Sequence, residues 1–273
     1  MSADDQQHPA PTRPIAADWL TLRRPADEAA REGTQRLIAR LWRHLQAAGH
    51  SQDTVHLLDL GAGTGANQAW LAPRLPFGVR WTLLDHDADL LHHPMSGRGD
   101  RVHGGLDEVP KLLDSPGPHV LTCSALLDLL TYAELDDLVD LLVRTSTPAL
   151  FSLSVDGTVT LVPPHEDDDL VARAFDAHQR RDDIAGASGA PHLAQRAQEA
   201  GAEVVVAATP WRLTGAQTPL MVRYLTDRVD AAVEHDPAIA ERAHAWLKQR
   251  VAQSEAGTLA VVVGHVDLLV LPQ

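Results

Sequence analysis

A glycine-rich turn between two apolar segments holds the residues best suited to bind a small ligand. Glycine occupies positions 61, 63 and 65, and Asp59 precedes the turn in the run DLGAGTG. Glycine allows positive φ angles and a close backbone approach, and free N–H groups point outward where a helix begins. Asp85 ends the next apolar segment, 20 residues after Gly65, where a carboxylate can accept both hydroxyls of a ribose. The spacing predicts a nucleoside-type ligand at this turn.

The segments around the turn follow the order of a doubly wound α/β sheet. Apolar runs predict strands at 55–60, 80–84, 101–103, 120–124, 149–155, 203–207 and 259–269, and helical patterns alternate with them. The stretch 158–162 is predicted to be hairpin-like and to lie in an insertion after the fifth strand. The prediction is an α/β fold with a mostly parallel sheet of seven strands, N-terminal helices and helical insertions.

The chain is predicted to form one domain. With 273 residues and 44% hydrophobic content it can bury a full core, and no long linker divides it. Residues 1–18 are polar and rich in proline, and we expect them to be flexible. The domain then spans 19–273, with insertions at 156–190 and 215–256.

The composition narrows the classes of partner. A formal net charge of −14 repels phosphate backbones, so nucleic acid is not expected as a partner. No stretch reaches the roughly 18 apolar residues that cross a bilayer, since His265 and Asp267 interrupt the C-terminal apolar run. Cys123 is the single cysteine and cannot form an internal disulfide, which fits a reducing compartment. These features predict a cytoplasmic protein without membrane association.

Strand, D-x-G-x-G-x-G turn, helix, strand and terminal Asp together resemble the class I S-adenosylmethionine (SAM)-dependent methyltransferases. The specific motifs lie within residues 55–87, and the order of elements agrees from about residue 29 to the end. The resemblance implies transfer of a methyl group from SAM to an acceptor, with S-adenosylhomocysteine (SAH) as product. It also implies that the last strand is antiparallel and inserts beside the strand at 203–207.

The resemblance also assigns residues to the cofactor. In that family the first acid supports the turn near the methionine amino group, the second acid binds the ribose, and the end of the fourth strand lies beside the methionine moiety. The cofactor site is therefore expected to include Asp59, Gly61, Ala62, Gly63, Gly65, Asp85, His86, Ser124 and Ala125.

Three side chains have a proposed role in the site and an alternative role outside it. His86 is placed to stack on adenine, or it faces solvent as a loop residue. Arg31 would reach the SAM carboxylate from an N-terminal lid at 19–50, as in related enzymes, or it forms a surface salt bridge. Asp128 faces the substrate, or it simply favours the start of a helix.

Methyl transfer depends mainly on alignment, because the sulfonium already activates the methyl carbon. If the acceptor is a hydroxyl, one base helps, and histidine is the usual choice. We predict His178 as that base, because it lies in the 156–190 insertion, which in this family often covers the substrate; a histidine on a solvated helix is the alternative. The fourth strand lacks the Asp/Asn-Pro-Pro-Tyr/Phe signature of nucleic-acid methylating enzymes, so a small-molecule acceptor is predicted.

Other classes stay open at this point. Gly61, Gly63 and Ala66 also satisfy the G-x-G-x-x-A turn of dinucleotide sites, so an NAD(P)-dependent oxidoreductase is the alternative enzyme. Asp59 argues against it, because a pyrophosphate gains nothing from a neighbouring carboxylate, whereas SAM carries two positive groups. A SAM-binding protein without catalytic activity, or a glycine turn without any cofactor, are further alternatives.

Metal binding and oligomeric state have little support in the sequence. His92, His93 and the acidic run at 166–169 lack the converging spacing of a metal site, so no metal is predicted. A homodimer is an alternative to a monomer, and no feature of the sequence decides between them.

Overall fold

A computed structural model describes residues 16–94, 97–180 and 183–273. Of the segment 1–18, which we predicted to be flexible, residues 1–15 lie outside the described residues. Residues 17 and 18 already belong to the first helix, so the predicted boundary was two residues too late.

One sheet runs through the domain. Its strands are β1 Val55–Leu60, β2 Val79–Asp85, β3 Asp100–His103, β4 His119–Ser124, β5 Ala149–Val162, β6 Glu203–Ala208, β7 Trp211–Leu213 and β8 Ala260–Leu271. The order across the sheet is β3-β2-β1-β4-β5-β8-β6, with β7 also pairing with β8. Strands β1 to β5 pair in parallel, and β8 lies antiparallel between β5 and β6. The predicted fold class, including its antiparallel last strand, is confirmed.

The helices cover both faces of the sheet. Their bounds are α1 Ala17–Ala30, α2 Gln35–Ala47, α3 Ala66–Leu71, α4 Ala88–Leu91, α5 Val109–Leu113, α6 Tyr132–Thr145, α7 Asp168–Gln179, α8 Gly189–Glu199, α9 Thr218–His235 and α10 Ala240–Glu255. Apolar side chains of α5, α6 and α8 pack on one face, and those of α2, α3 and α4 pack on the other. Burial of these apolar stripes is the main force that holds the layers together.

A third apolar cluster joins α1, α7, α9 and α10 to the far ends of β5, β7 and β8. It exists because β5 and β8 run on past the parallel part of the sheet as an antiparallel pair, from Val155 opposite His265 to Val162 opposite Ala260. The prediction of a hairpin-like stretch at 158–162 is therefore wrong, since these residues continue β5. Strand β7 adds one strand to the seven predicted, because it pairs with β8 beyond the end of β6.

Candidate functional site

The glycine turn connects β1 to α3 at the carboxyl end of the sheet. Gly61, Gly63 and Gly65 have φ angles of +58°, +52° and +76°, in the left-handed region that disfavours residues with a Cβ. The Ala62 N–H donates to the carbonyl of Leu84 at 3.1 Å, which ties the turn to the neighbouring strand. The sequence analysis explained the glycines by a need for positive φ angles, and the turn has these angles.

Two leucines lie against the turn from different elements. A Cβ built on Gly61 would lie 3.1 Å from the Leu126 side chain, and one on Gly63 would lie 3.4 Å from the Leu20 side chain. Leu20 belongs to α1, so the N-terminal helix lies over the glycine turn. Leu126 follows β4, so the same turn also contacts the segment that leads away from the fourth strand.

Asp59 is buried at the end of β1. Its Oδ1 accepts a hydrogen bond from Asn67 Nδ2 at 2.6 Å, and Asn67 also donates to Thr122 on β4. Burial raises the pKa of Asp59 to about 7, although the hydrogen bond from Asn67 and the charge of Arg31 lower it and the charge of Asp85 raises it. The carboxylate is thus costly to ionise unless a cation approaches it.

Arg31 is buried near Asp59, close enough for the two charges to interact, and 2% of its surface is exposed. Its Nη2 donates to Ser152 Oγ at 3.0 Å, and its guanidinium stacks on the ring of Trp70 at 4.0 Å. Burial lowers the pKa of Arg31, while the carboxylates of Asp267 and Asp59 oppose that effect. The alternative of a surface salt bridge for Arg31 was wrong, because the segment around it folds against the sheet.

Four buried polar atoms beside the turn have no hydrogen-bond partner within the described residues. They are Arg31 Nε, Asp59 Oδ2, Asn67 Oδ1 and Trp70 Nε1. Buried polar groups in native proteins are nearly always paired. Because the set includes a cation and an anion, it complements a ligand that carries both a carboxylate and an ammonium group.

Asp85 ends β2 beside the turn. Its Oδ2 accepts from the Gly63 N–H at 2.7 Å, and its Oδ1 accepts from the Asp87 N–H at 2.9 Å. Each carboxylate oxygen has two acceptor sites, so both keep one for a ribose hydroxyl. His86 is exposed, with its Nδ1 3.4 Å from Asp85 Oδ1. The structure brings His86 to the rim of the turn and leaves its ring open to solvent or to a ligand.

The carboxyl end of β4 lies between the turn and a cavity. Ser124 is half-buried and lies opposite Ser152 in the pairing of β4 with β5. Ala125 has a φ of +54°, and its N–H donates to the Ser152 carbonyl at 2.9 Å. Leu153 on β5 also has a φ of +54°. Strained backbone of this kind concentrates at binding sites, and Ala125 and Leu153 both line the cavity.

The cavity has a volume of about 360 Å³ and lies beyond Ala125. Strand β5 and the helices α1, α7 and α9 form its walls, with further residues from β7 and β8. Its aromatic residues are Trp19, Phe175, Trp211 and Tyr224. The size and the largely apolar walls suit a small organic molecule.

Asp128 lines this cavity, as its prediction as a site residue requires. Its Oδ1 is buried and has no hydrogen-bond partner within the described residues. Burial raises the pKa of Asp128, and the charge of Arg23 acts in the opposite direction. The carboxyl group is therefore placed to accept a hydrogen bond from a molecule in the cavity.

His178 is not among the residues that line the cavity, although Phe175 and Gln179 of the same helix are. It is buried, and its Nε2 lies 3.5 Å from Glu234 on α9. Phe175 and Gln179 share one face of α7, whereas His178 is rotated by about 100° from Gln179. The prediction of His178 as the base therefore lacks the geometry it needs.

His265 on β8 is the histidine that lines the cavity. Its Nδ1 lies 3.0 Å from the Val263 carbonyl oxygen, and its ring lies 4.9 Å from the Trp211 ring. Burial lowers the pKa of His265 to about 4. From the sequence we inferred only that His265 interrupts an apolar run. A polar residue inside an otherwise apolar strand was the signal that could have identified it.

Asp267 is the other polar residue of the C-terminal apolar run, and it stabilises one wall of the cavity. Its carboxylate accepts hydrogen bonds from Thr34 Oγ1, the Leu153 N–H and Thr209 Oγ1 at 2.5, 2.8 and 2.9 Å. Leu153 lies at the first register shift between β5 and β8. Asp267 thus holds the irregular part of β5 that forms one wall of the cavity.

Metal-binding clusters and membrane-spanning helices are both absent from the described ranges. No group of three or more His, Cys, Asp or Glu side chains in residues 16–94, 97–180 and 183–273 is placed to hold a metal ion. In the same ranges, no helix has the length and apolar character needed to cross a bilayer.

Comparison with solved structures gives similar folds at low sequence identity. A cyclopropane-fatty-acyl-phospholipid synthase-like protein from Lactobacillus casei is 14% identical over 92% of this chain and 94% of that chain, with a TM-score of 0.51. The cyclopropane synthase MmaA2 from Mycobacterium tuberculosis is 13% identical over 93% and 94% of the chains, with a TM-score of 0.44. A SAM-dependent methyltransferase from Geobacter sulfurreducens in complex with SAH is 18% identical over 94% and 99%, with a TM-score of 0.38.

The first of these similarities supports the fold, and the other two are too distant to add to it. No protein-family model and no curated protein matches the sequence. The comparison therefore supports the α/β fold of this chain.

Proposed function

We propose that this protein binds SAM and transfers its methyl group to a small molecule held in the cavity. The observation that carries the proposal is the buried pair Arg31 and Asp59, whose Nε and Oδ2 atoms have no hydrogen-bond partner in the described part of the chain. A cation and an anion, both buried beside a glycine turn, fit an amino-acid ligand better than any other common group.

The methionine end of SAM carries the two groups that this pair requires. Arg31 would hold the carboxylate, and Asp59 would hold the ammonium group, with Asn67 orienting Asp59 through their hydrogen bond of 2.6 Å. Asp85 would bind the ribose, and His86 would lie beside the adenine. The main chain from Gly61 to Gly65, including Ala62 and Gly63, would lie along the ligand.

The dinucleotide alternative fits less well. A pyrophosphate brings negative charge to the turn, where the Asp59 side chain is already buried with an unpaired oxygen. Two like charges in a region of low polarity repel strongly.

The residues at the end of β4 would align the two substrates. SAM, when bound, supplies a methyl group that its sulfonium has activated for attack. Ser124 and Ala125 lie between the glycine turn and the cavity, so they would border the reacting atoms. The apolar cavity walls would exclude water, and Asp128 would accept a hydrogen bond from the acceptor. Correct orientation of the reacting atoms supplies a large share of the rate enhancement when two substrates are bound together.

The segments 19–50, 156–190 and 215–256 would enclose the acceptor, because α1, α7 and α9 belong to them and line the cavity. A small molecule is the proposed acceptor, since the net charge of −14 disfavours nucleic acid. Cys123 is a free, buried thiol, in keeping with a cytoplasmic protein. A homodimer is an alternative to a monomer, and analytical ultracentrifugation distinguishes them.

Binding calorimetry tests the cofactor assignment. We expect SAM and SAH to bind, and NADH and NADPH not to bind at equal concentration. Arg31→Met and Asp59→Asn should each lower SAM affinity by about 10- to 100-fold, because each removes a charged hydrogen bond worth about 1.5–3 kcal/mol. The exposed residues Arg43 and Asp53 offer matched controls, Arg43→Met and Asp53→Asn, which should bind SAM as the wild type does.

Turnover is tested separately by SAH release over a panel of small hydroxyl, amine and thiol compounds. Methylation of at least one of them is expected. Tight SAM binding without SAH release from any compound would favour the catalytically inactive SAM-binding protein. Binding of NADH or NADPH in place of SAM would contradict the proposal altogether.

A further inference from the structure

The tautomer of His265 is set by a backbone contact. The Nδ1 atom lies 3.0 Å from the Val263 carbonyl oxygen, and a carbonyl can only accept a hydrogen bond. Nδ1 therefore carries the hydrogen and donates it. The ring nitrogen left with a lone pair is Nε2, which makes no hydrogen bond within residues 16–94, 97–180 and 183–273. His265 lines the cavity, and Nε2 is the ring nitrogen that is able to accept a hydrogen bond from a molecule held there.

Neighbouring side chains fix the position of this ring. The Trp211 ring packs 4.9 Å from it, and the Trp211 Nε1 donates to Asp27 Oδ1 at 2.9 Å. Arg23 lies over the Trp211 ring and is paired with Asp27. A histidine held by a backbone hydrogen bond and a packed indole keeps one orientation, as a proton acceptor in a binding site must.

The charge state of His265 follows from what surrounds it. Burial is the largest effect and lowers the pKa to about 4, helped by Arg23 on α1. Asp27 on α1 and Asp156 on β5 act in the opposite direction. The imidazole is thus neutral near pH 7 and keeps a lone pair on Nε2, and the two carboxylates offset part of the effect of burial and of Arg23.

The cavity presents hydrogen-bond acceptors in apolar surroundings. Asp128 Oδ1 has no partner in the described part of the chain, and His265 Nε2 offers a lone pair. Three arginines of the wall have partners within the protein: Arg23 is paired with Asp27, Arg180 donates to the Asp176 carbonyl at 3.3 Å, and Arg228 contacts both Asp176 and the Tyr224 hydroxyl. A ligand that matches these walls has a largely apolar body and donates hydrogen bonds.

We propose that the acceptor is a largely apolar hydroxyl compound of the phenol class, and that His265 Nε2 takes the hydroxyl proton while the oxygen takes the methyl group. This inference rests on the proposed function. The O–H bond breaks as the oxygen attacks the methyl carbon, and the proton goes to Nε2. The oxygen forms a bond to the methyl carbon as the carbon–sulfur bond breaks, and that bond's electron pair remains on the sulfur, leaving neutral SAH. The imidazolium then releases its proton to water.

A pair of probes tests the hydroxyl contact by calorimetry without any cofactor. 2-Naphthol has a hydroxyl that can donate, whereas 2-methoxynaphthalene has the same rings and cannot. We expect the wild type to bind 2-naphthol at least fivefold more tightly, and His265→Leu to lose that preference. His56 is a matched control, since it is also a buried strand histidine with a pKa lowered to about 4. His56→Leu, shown to be folded by circular dichroism, should keep the preference.

Turnover with SAM tests the proton transfer. We expect His265→Gln, which keeps a hydrogen-bond acceptor but cannot take a proton, to lower kcat for 2-naphthol by at least tenfold with KM within threefold of the wild type. If 2-naphthol does not bind the folded protein, if His265→Leu keeps the preference, or if His178→Gln loses activity and His265→Gln does not, the inference is overturned. Failure of SAM to bind would instead refute the proposed function, and the probe pair would still test the His265 contact.

Discussion

The backbone N–H of Gly63 donates a 2.7 Å hydrogen bond to Oδ2 of Asp85. Gly63 belongs to the glycine turn after β1, and Asp85 ends β2. The hydrogen bond thus connects the two parts of the sequence motif directly. The bond orients the carboxylate at the end of β2, so that its remaining acceptor sites are available to a diol. Loss of the Asp85 side chain should therefore affect both the ligand contact and the conformation of the turn.

Asp85→Ala should lower the affinity for SAM by about 10- to 100-fold, because it removes the carboxylate that we propose accepts both ribose hydroxyls. The free energy of unfolding should fall by about 1–3 kcal/mol, since the Gly63 N–H loses its partner in a buried position. Calorimetry and urea denaturation measure the two effects. Asp89 is an exposed carboxylate nearby, and Asp89→Ala should leave SAM affinity unchanged. Full SAM affinity in Asp85→Ala would show that this residue does not bind the ribose.

Gly63→Ala should destabilise the protein through backbone strain, and it should also weaken SAM binding, because the added methyl group lies at the turn along which SAM is proposed to bind. The φ of +52° imposes a cost of about 1–2 kcal/mol on alanine, and the added methyl group would lie 3.4 Å from the Leu20 side chain, at van der Waals contact. Gly49 provides the comparison, because its φ is +91° and a methyl group added there would have nothing within 4 Å. Gly49→Ala should show a similar loss in urea denaturation and normal SAM binding. Equal SAM affinity in both variants would argue against a ligand at the turn.

SAM affinity should rise with pH across the neutral range. Asp59 has a pKa of about 7 in the folded protein against 3.8 for an ordinary Asp, and an ammonium ligand binds its ionised form. Affinity should therefore rise by up to about tenfold per pH unit below about pH 7 and stop rising above it, where the α-amino group of the ligand begins to lose its own proton. Calorimetry from about pH 6 to about pH 8 measures this, and Asp59→Asn should bind weakly with no such dependence on pH. A wild-type affinity that is flat over this range would contradict the role of Asp59.

The same raised pKa predicts how Asp59 affects stability without a ligand. A folded protein that holds a proton more tightly than the unfolded chain gains stability at low pH. The contribution of Asp59 to the free energy of unfolding should thus be full below about pH 4 and should decline as the pH rises to about 7. Compared with the wild type, Asp59→Asn should become relatively more stable as the pH rises through this range, as urea denaturation at several pH values would show.

Asp267→Ala should be among the most destabilising single substitutions in the domain. It would leave the Leu153 N–H and the hydroxyls of Thr34 and Thr209 without their acceptor in a buried region, at a cost of about 1–3 kcal/mol for each group that finds no new partner. Urea denaturation measures the loss. The exposed Asp230 on α9 is the control, and Asp230→Ala should change stability by less than about 0.5 kcal/mol. A loss below about 1 kcal/mol in Asp267→Ala would refute this role.

The sequence by itself determined the features that depend on local conformation. A glycine turn needs positive φ angles at fixed positions, and a parallel strand needs a short apolar run, so both are visible without knowledge of distant contacts. The turn from Gly61 to Gly65, the two acids Asp59 and Asp85 and the order of the strands are of this kind. The fold class followed from them, because alternating strands and helices permit few arrangements.

Only the tertiary structure decided which residues surround the cavity. Strand β8 is the last in the chain but lies between β5 and β6, and this places His265 and Asp267 beside residues that are more than a hundred positions earlier in the sequence. His178 was predicted from its position in an insertion, yet the direction of its side chain depends on how α7 packs against α9. For Arg31 the sequence left a surface salt bridge open, whereas the fold buries its side chain against the sheet. Side-chain direction on a packed helix or an inserted strand depends on its neighbours, and a single sequence does not contain that information.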